Sequence, residues 1–292
     1  MATLKRAYLQ MHIAILLWGF TGIFGKAISM NEGMLVWYRM LISAIGLLPA
    51  MWKYRKEIPS ARELGKITLV GVVVAFHWIL FYGSIKASSV SVALSCFSSI
   101  SLFTAILDPL SKRQKPKLSE VVFGLAVISG LYIIFSFQQH QLTGILLAVA
   151  SAFLGALFTV LNKKLTASHP PQIITFYELS SGFIILSLVL PLYLTSTSSH
   201  FQIPRGFDIL WLLLLGLICT SFAFTISLKA LKQLDPFTLN LAVNLEPVYS
   251  ILLAMVIFNE LEMLNLGFFV GALVILSAVV LHSWFKWRSR AN

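Results

Sequence analysis

Charge is what this chain has least of. Only 11 of its 292 residues are acidic and 22 basic, so charged side chains make up 11%, against roughly a quarter in soluble domains. Such a chain cannot coat a globule for water. Cysteine is scarce as well. Cys96 and Cys219 both lie inside apolar runs, which excludes a disulfide framework or a thiolate metal site and leaves both as small packing residues. There is no GxGxxG, no P-loop, no His/Cys metal spacing and no Ser–His–Asp set in a recognisable context. No cofactor, metal or built-in ATPase is therefore expected. Long polar stretches are also missing: the longest loops are 53–66 and 195–206, too short for a domain outside the membrane.

What is there in abundance is hydrocarbon. Hydrophobic residues make up 58% of the chain, grouped into runs of about 20, the length that crosses a bilayer core of roughly 30 Å as helix. The runs read as ten spans: 8–30, 33–52, 67–87, 89–110, 119–137, 142–162, 171–194, 207–230, 236–258 and 264–285. Only Asn31-Glu32-Gly33 follows the first, with no cleavage region, so it reads as a retained helix and not a signal peptide. A net charge of +11 would point to nucleic acid in a soluble protein; here its distribution explains it. All basic residues except Lys26, Arg39, Lys86 and Arg205 fall on one side of the ten-span arrangement. By the positive-inside rule that side is cytoplasmic and holds both termini. The expected setting is a bacterial inner membrane, with lipid and a small molecule as partners and no nucleic acid.

The spans also repeat. Ser84-Ile85-Lys86-Ala87 reads like Ser227-Leu228-Lys229-Ala230, and the run from Gly124 to Ser129 echoes that from Gly271 to Leu276. Trp18-Gly19 aligns with Leu154-Gly155, Tyr38-Arg39 with Tyr177-Glu178, and Ser98-Ser99-Ile100-Ser101 with Asn244-Leu245-Glu246-Pro247. Two units, 1–137 and 138–292, would each hold five crossings. An odd number turns the second copy upside down, the inverted topology of many secondary transporters. The fold class expected is an all-α integral membrane protein of ten transmembrane helices in two inverted five-helix repeats.

Glu246 is the sharpest single signal. At about 1.5 Å per residue it sits ~17 Å along the ninth span, near mid-bilayer. A carboxylate there costs at least ~2.5–3.5 kcal/mol, so it needs a cavity or a partner. Pro247 cannot donate to the carbonyl of Val243 and loosens the helix beside the acid; Asn244 adds an amide in the same turn. This is a substrate or ion site, or else a structural acid bonded to neighbouring helices. Arg39 and Glu178 differ in depth by about 10 Å, which argues against a direct ion pair. Each anchors a gate or serves structure, Arg39 then snorkelling outward toward Glu32. Ser88, Ser91, Ser95, Ser98 and Ser99 follow helical spacing on one face of the fourth span, lining a cavity or allowing close helix approach. Trp18 and Thr21 in the first span, with His77, Trp78 and Tyr82 in the third, suit the wall of an organic-substrate cavity or plain packing. Gly267 and Gly271 permit tight contact in the tenth span.

Trp18-Gly19, Arg39, and Asn244-Leu245-Glu246-Pro247-Val248 with Glu260 beyond it resemble the EamA family of the drug/metabolite transporter superfamily. The likeness runs over essentially the whole chain, although the fourth span has Ser101 and Asp108-Pro109 where the repeat often carries a proline and a terminal acid. It implies a ten-helix transporter with a central cavity, usually exporting amino acids or other small metabolites. Alternating access would have spans 1, 3, 4, 6, 8 and 9 surround the cavity, spans 2 and 7 rock, and spans 5 and 10 support the periphery. A coupling proton or other ion, transport direction, substrate and oligomeric state stay open. A membrane receptor lacking flux would need signalling loops, and a lipid-modifying enzyme a catalytic cluster at an interface; His169 and His200 are isolated on opposite sides.

Overall fold

In hydrocarbon a backbone has only itself to bond to, so each apolar run must close its hydrogen bonds as helix. The computed structural model describes residues 2–134, 142–250 and 266–291, and every regular element among them is helical. In the first half α1 is Ala2–Ala27, α2 Glu32–Lys53, α3 Ala61–Ala87, α4 Val90–Phe97, α5 Ile100–Ser111 and α6 Leu118–Ile134. Then come α7, Leu142–Ser168, and α8, Pro171–Ser196, followed by α9, Phe207–Gln233. The series closes with α10, Pro236–Val243, with α11, which opens at 246–250, and with α12, Leu266–Ala291. Six of these, α1, α2, α3, α7, α8 and α9, are long and apolar enough to cross a membrane; α5, α6 and α12 contribute shorter apolar helices. Leu188 and Leu192 on α8 are each 73% exposed, a face fit for lipid and not for water.

Local chemistry sets the ends. Ser60 and Glu63 form a reciprocal capping box that starts α3 about two turns before the apolar run. Asn31 caps α2 and Asp235 caps α10. At the far end of α9 the Lys163 ammonium donates to the carbonyls of Leu231 and Leu234, each at 2.8 Å, the favourable place for a cation.

Two spans differ from the continuous helices expected. The fourth is interrupted at Ser98-Ser99 and the ninth at Asn244-Leu245, positions that align between the two halves. In both, backbone bonds tighten to three-residue spacing: Ser99 N–H reaches Cys96 O and Leu245 N–H reaches Ala242 O. The first break has no proline. There the hydroxyls of Ser99 and Ser101 donate to the carbonyls of Cys96 and Ser98, offering the chain an alternative to helix. Pro247, expected inside a helix, instead stands in the first turn of α11. First-turn N–H groups have no intrahelical partner, so the missing donor costs nothing there.

Helix α9 carries a different irregularity. Over Leu214–Phe222 it widens into π geometry. Thr220 and Ser221 donate their hydroxyls to the carbonyls of Leu215 and Gly216, five residues back, closing the wider turns.

Helices approach one another over small residues. Ser84 of α3 donates to the Gly144 carbonyl of α7 at 2.7 Å. A Cβ on Gly130 of α6 would lie 3.0 Å from the Gly271 carbonyl of α12, so Gly271 packs within the bundle. At Gly71 a Cβ would run into the carbonyl oxygen of Glu178 on α8. Gly71→Ala should therefore force α3 and α8 apart and cost about 1–3 kcal/mol, seen as a lower melting temperature of the purified protein. Gly65→Ala in the same helix meets nothing within 4 Å and should be neutral or stabilising by up to about 1 kcal/mol. Equal melting temperatures for the two variants would contradict this packing.

Candidate functional site

The interrupted and widened helices surround one cavity. Its aromatic wall is Trp18, Trp78, Phe81, Phe97, Phe158 and Phe224. Its polar groups come from seven helices: Thr21 of α1, Arg39 of α2, His77 of α3, Thr159 and Asn162 of α7, Ser227 of α9, and Asn240 of α10 and Glu246 of α11 either side of the break. A mostly apolar enclosure with a few convergent polar groups is the usual form of a small-molecule site.

Arg39 is the best-held of these. It is buried, and not turned outward toward Glu32, whose carboxylate instead accepts from Tyr193 Oη at 2.5 Å. Arg39 Nε donates to Thr220 Oγ1 at 2.7 Å and Nη1 to Tyr82 Oη at 2.8 Å. Its Cζ lies 3.8 Å from the centroid of the Trp78 ring, a cation–π contact. Ser43, one turn on, places its hydroxyl 2.8 Å from the Gly216 carbonyl, and Ser221 Oγ lies 2.9 Å from Ser43 O. The polar seam between α2 and α9 is thus built on the widened turns.

His77 is oriented by α7. Its Nδ1 lies 2.8 Å from the Ser151 carbonyl oxygen, which can only accept. Nδ1 therefore carries the hydrogen, and in the neutral ring Nε2 is left as an acceptor. Ser151 Oγ completes the clamp by donating to His77 O at 2.9 Å. Glu246 Oε1 is within 3.5 Å of Thr21 Oγ1, which donates to it across α1 and α11. Asn240 Nδ2 donates to Thr104 Oγ1 of α5 at 2.8 Å, and Thr159 Oγ1 lies 3.3 Å from Asn240 Oδ1, joining α5, α7 and α10.

Of the residues singled out in the sequence, Trp18, Thr21, His77, Glu246 and Arg39 line this cavity. Tyr82 stands behind Arg39, fully buried, and positions it. Asn244 turns its amide back onto the carbonyls of Asn240 and Leu241, each at 3.2 Å, and so serves the helix break. Ser98 sits at the other break, off the cavity wall, and Ser88 donates to Ser84 O in the turn before α4. The side chains of Ser91 and Ser95 lie outside the described residues, as does Glu260. Glu178 is buried away from the cavity and accepts from Asn162 at 3.4 Å. His169, expected to be isolated, has Nε2 3.3 Å from Glu63 Oε1. Trp78, weighed beside His77 as cavity wall or packing, lines the cavity too; Thr159, Asn162 and Asn240 were not singled out. The two asparagines carried the signal used for Glu246, since an amide inside an apolar run also demands partners.

Tyr82→Phe removes the acceptor of one Arg39 N–H and leaves that donor buried, a loss of about 1–3 kcal/mol. Thr220→Val should cost more, because it removes both the acceptor of Arg39 Nε–H and the hydroxyl bond to the Leu215 carbonyl. Thermal unfolding of the purified variants reads both, and a Thr220→Val protein as stable as the wild type would contradict the assignment.

One family model and the relatives of similar sequence point to a transporter. The model of the EamA-like transporter family matches residues 5–136 and 142–284. An uncharacterized transporter of Bacillus subtilis, YxxF, is 24% identical over 259 residues, 85% of this chain and 80% of that protein. The uncharacterized inner membrane transporter YicL of Salmonella typhimurium is 25% identical over 300 residues, 97% of each chain. A protein of known crystal structure superposes with a TM-score of 0.78 at 16% identity, covering 96% of this chain and 98% of the other; that likeness shows the fold. With the family matched along both halves, the chain belongs to the EamA-like transporter family and is a multi-pass membrane transporter.

Proposed function

We propose that the protein is a secondary transporter that exports small metabolites such as amino acids by alternating access, with its substrate held in the cavity between Arg39 and Glu246. The single observation that carries this is the placement of both charged side chains on the wall of one aromatic enclosure. A guanidinium with its Nε and Nη1 already engaged presents the rest of its edge to a carboxylate. Glu246 offers an acceptor to an ammonium, and His77 Nε2 a second acceptor. The rings of Trp18, Trp78 and Phe158 would cover the apolar part of the substrate.

The architecture proposed is ten crossings in two inverted five-helix units, 1–137 and 138–292, in a bacterial inner membrane with both termini cytoplasmic. Two observations support it: the family model matches twice, once in each half, and the helix breaks at Ser98-Ser99 and Asn244-Leu245 fall at aligned positions. Broken helices near mid-bilayer are where transporters of this architecture place their sites. Helices α2 and α8 would rock to close alternate sides, with the widened turns of α9 as the flexing point. Ser95 is kept as a further candidate for the cavity wall, while Tyr82, Asn244 and Pro247 hold the wall in place.

Glu246→Gln tests the proposal. Efflux from proteoliposomes loaded with a panel of amino acids, amines and sugars should single out the substrate for the wild type. The variant should fold normally and lose at least tenfold in rate, about 1.4 kcal/mol. An unchanged rate for Glu246→Gln would remove Glu246 from the site.

A further inference from the structure

Behind the cavity wall lies a second acidic group to which the transport reading gives no role. Glu178 is on α8, about 10 Å in from its start at roughly 1.5 Å per residue, and is fully buried. Its Oε2 accepts from Asn162 Nδ2 at 3.4 Å. The other oxygen of each side chain, Glu178 Oε1 and Asn162 Oδ1, is buried with no hydrogen-bond partner. Both are acceptors, both belong to one side-chain pair, and leaving either unmet at this depth is costly.

One proton resolves both. A carboxylic acid and a primary amide are complementary: the acid O–H donates to the amide oxygen while the amide N–H donates to the other acid oxygen. Turning the Asn162 amide over does not avoid this, because its oxygen would then face Oε2 and need a proton there.

The charged groups around the pair are engaged elsewhere or distant. On α2, Arg39 is bound to Thr220 and Tyr82, and Lys53 is at the exposed end. On α3, His77 is clamped to Ser151, while Glu63 and Lys66 lie in the first turns. On α7, Lys163 caps α9 and Lys164 reaches the Ser111 carbonyl. On α9, Lys229 and Lys232 are near the final turn. On α8 itself, Tyr193 is bound to Glu32. Among the described residues none makes an ion pair with Glu178. Asn162, by contrast, lines the cavity. Among the described residues it is the one bonded neighbour that joins the buried carboxyl to the cavity.

We propose that Glu178 and Asn162 form a proton-binding site, loaded and emptied through the cavity, which supplies the coupling ion of the transporter. On loading, a proton from cavity water adds to Glu178 and its hydrogen bond closes on Asn162 Oδ1. On release the proton returns to cavity water, the carboxylate keeps the Nδ2 bond, and Oδ1 loses its donor. A substrate bonded to Asn162 would compete for that amide, which links cavity occupancy to the proton. The inference rests on the transport reading but not on Glu246.

Infrared spectroscopy of the full-length protein in lipid vesicles reads the carbonyl stretch of a neutral carboxylic acid directly. The band should shrink as pH rises, vanish in Glu178→Gln, shift in Asn162→Leu, and keep its Glu178 component in Glu246→Gln. Glutamine reproduces the donor and acceptor pattern of the neutral acid, so Glu178→Gln should fold. It should melt with the wild type at low pH and above it at high pH, because the folded wild type holds a proton that the unfolded chain releases as pH rises. A neutral-acid band untouched by Glu178→Gln, or a Glu178 band that does not change with pH, overturns the proposal. Loss of the band in Glu178→Gln beside unchanged efflux in Glu246→Gln would overturn the substrate site and leave this one standing.

Discussion

A guanidinium at membrane depth cannot lose its charge and has no bulk water to meet its donors, so the protein and the contents of its cavity must supply the partners. Much of the bundle is arranged around that requirement. Tyr82 and Thr220 accept from Arg39, and Trp78 lies against its face. Thr220 is free to do so because the widened turn of α9 lets its hydroxyl proton go to Leu215 O, leaving a lone pair for Arg39. The same widening sets Gly216 against Ile42 and places its carbonyl beside Ser43. Three helices are therefore held at one point, and that point is the wall of the cavity.

Helix interruption is the second half of the same economy. A continuous helix has no polar backbone to spare, and every break exposes groups that must be met. Here the breaks are met by local means: serine hydroxyls at Ser99 and Ser101, and the Asn244 amide on the carbonyls of Asn240 and Leu241. Pro247 is confined to a first turn where it lacks nothing. The chain thus gains irregular backbone beside the cavity with the carbonyls of Cys96, Ser98, Asn240 and Leu241 met by side chains. Close approach across Gly71 brings α3 against the Glu178 backbone of α8.

Hydropathy made the membrane class legible, because the energetic gap between lipid and water is large and set by each residue alone. It also picked out Glu246, Arg39, His77, Trp18 and Thr21, since polar or bulky residues in an apolar run stand out one at a time. What it could not show depends on partners far away in sequence. Arg39 meets Thr220 181 residues on, and nothing near Arg39 distinguishes that inward course from snorkelling. The Ser98-Ser99 break has no proline to announce it, and the wide turns of α9 are written in Thr220 and Ser221, residues equally at home in a regular helix. Asn162 and Asn240 were readable as buried amides, but their use, one facing Glu178 and the other Thr104, belongs to the packing.

The central claim is that one substrate carries opposite charges toward Arg39 and Glu246. Once efflux has identified the compound, its equilibrium affinity for the purified protein can be compared with analogues lacking the carboxylate or the ammonium. Loss of either group should weaken binding by about tenfold or more, each factor of ten being about 1.4 kcal/mol. Equal affinity for all three would contradict the account.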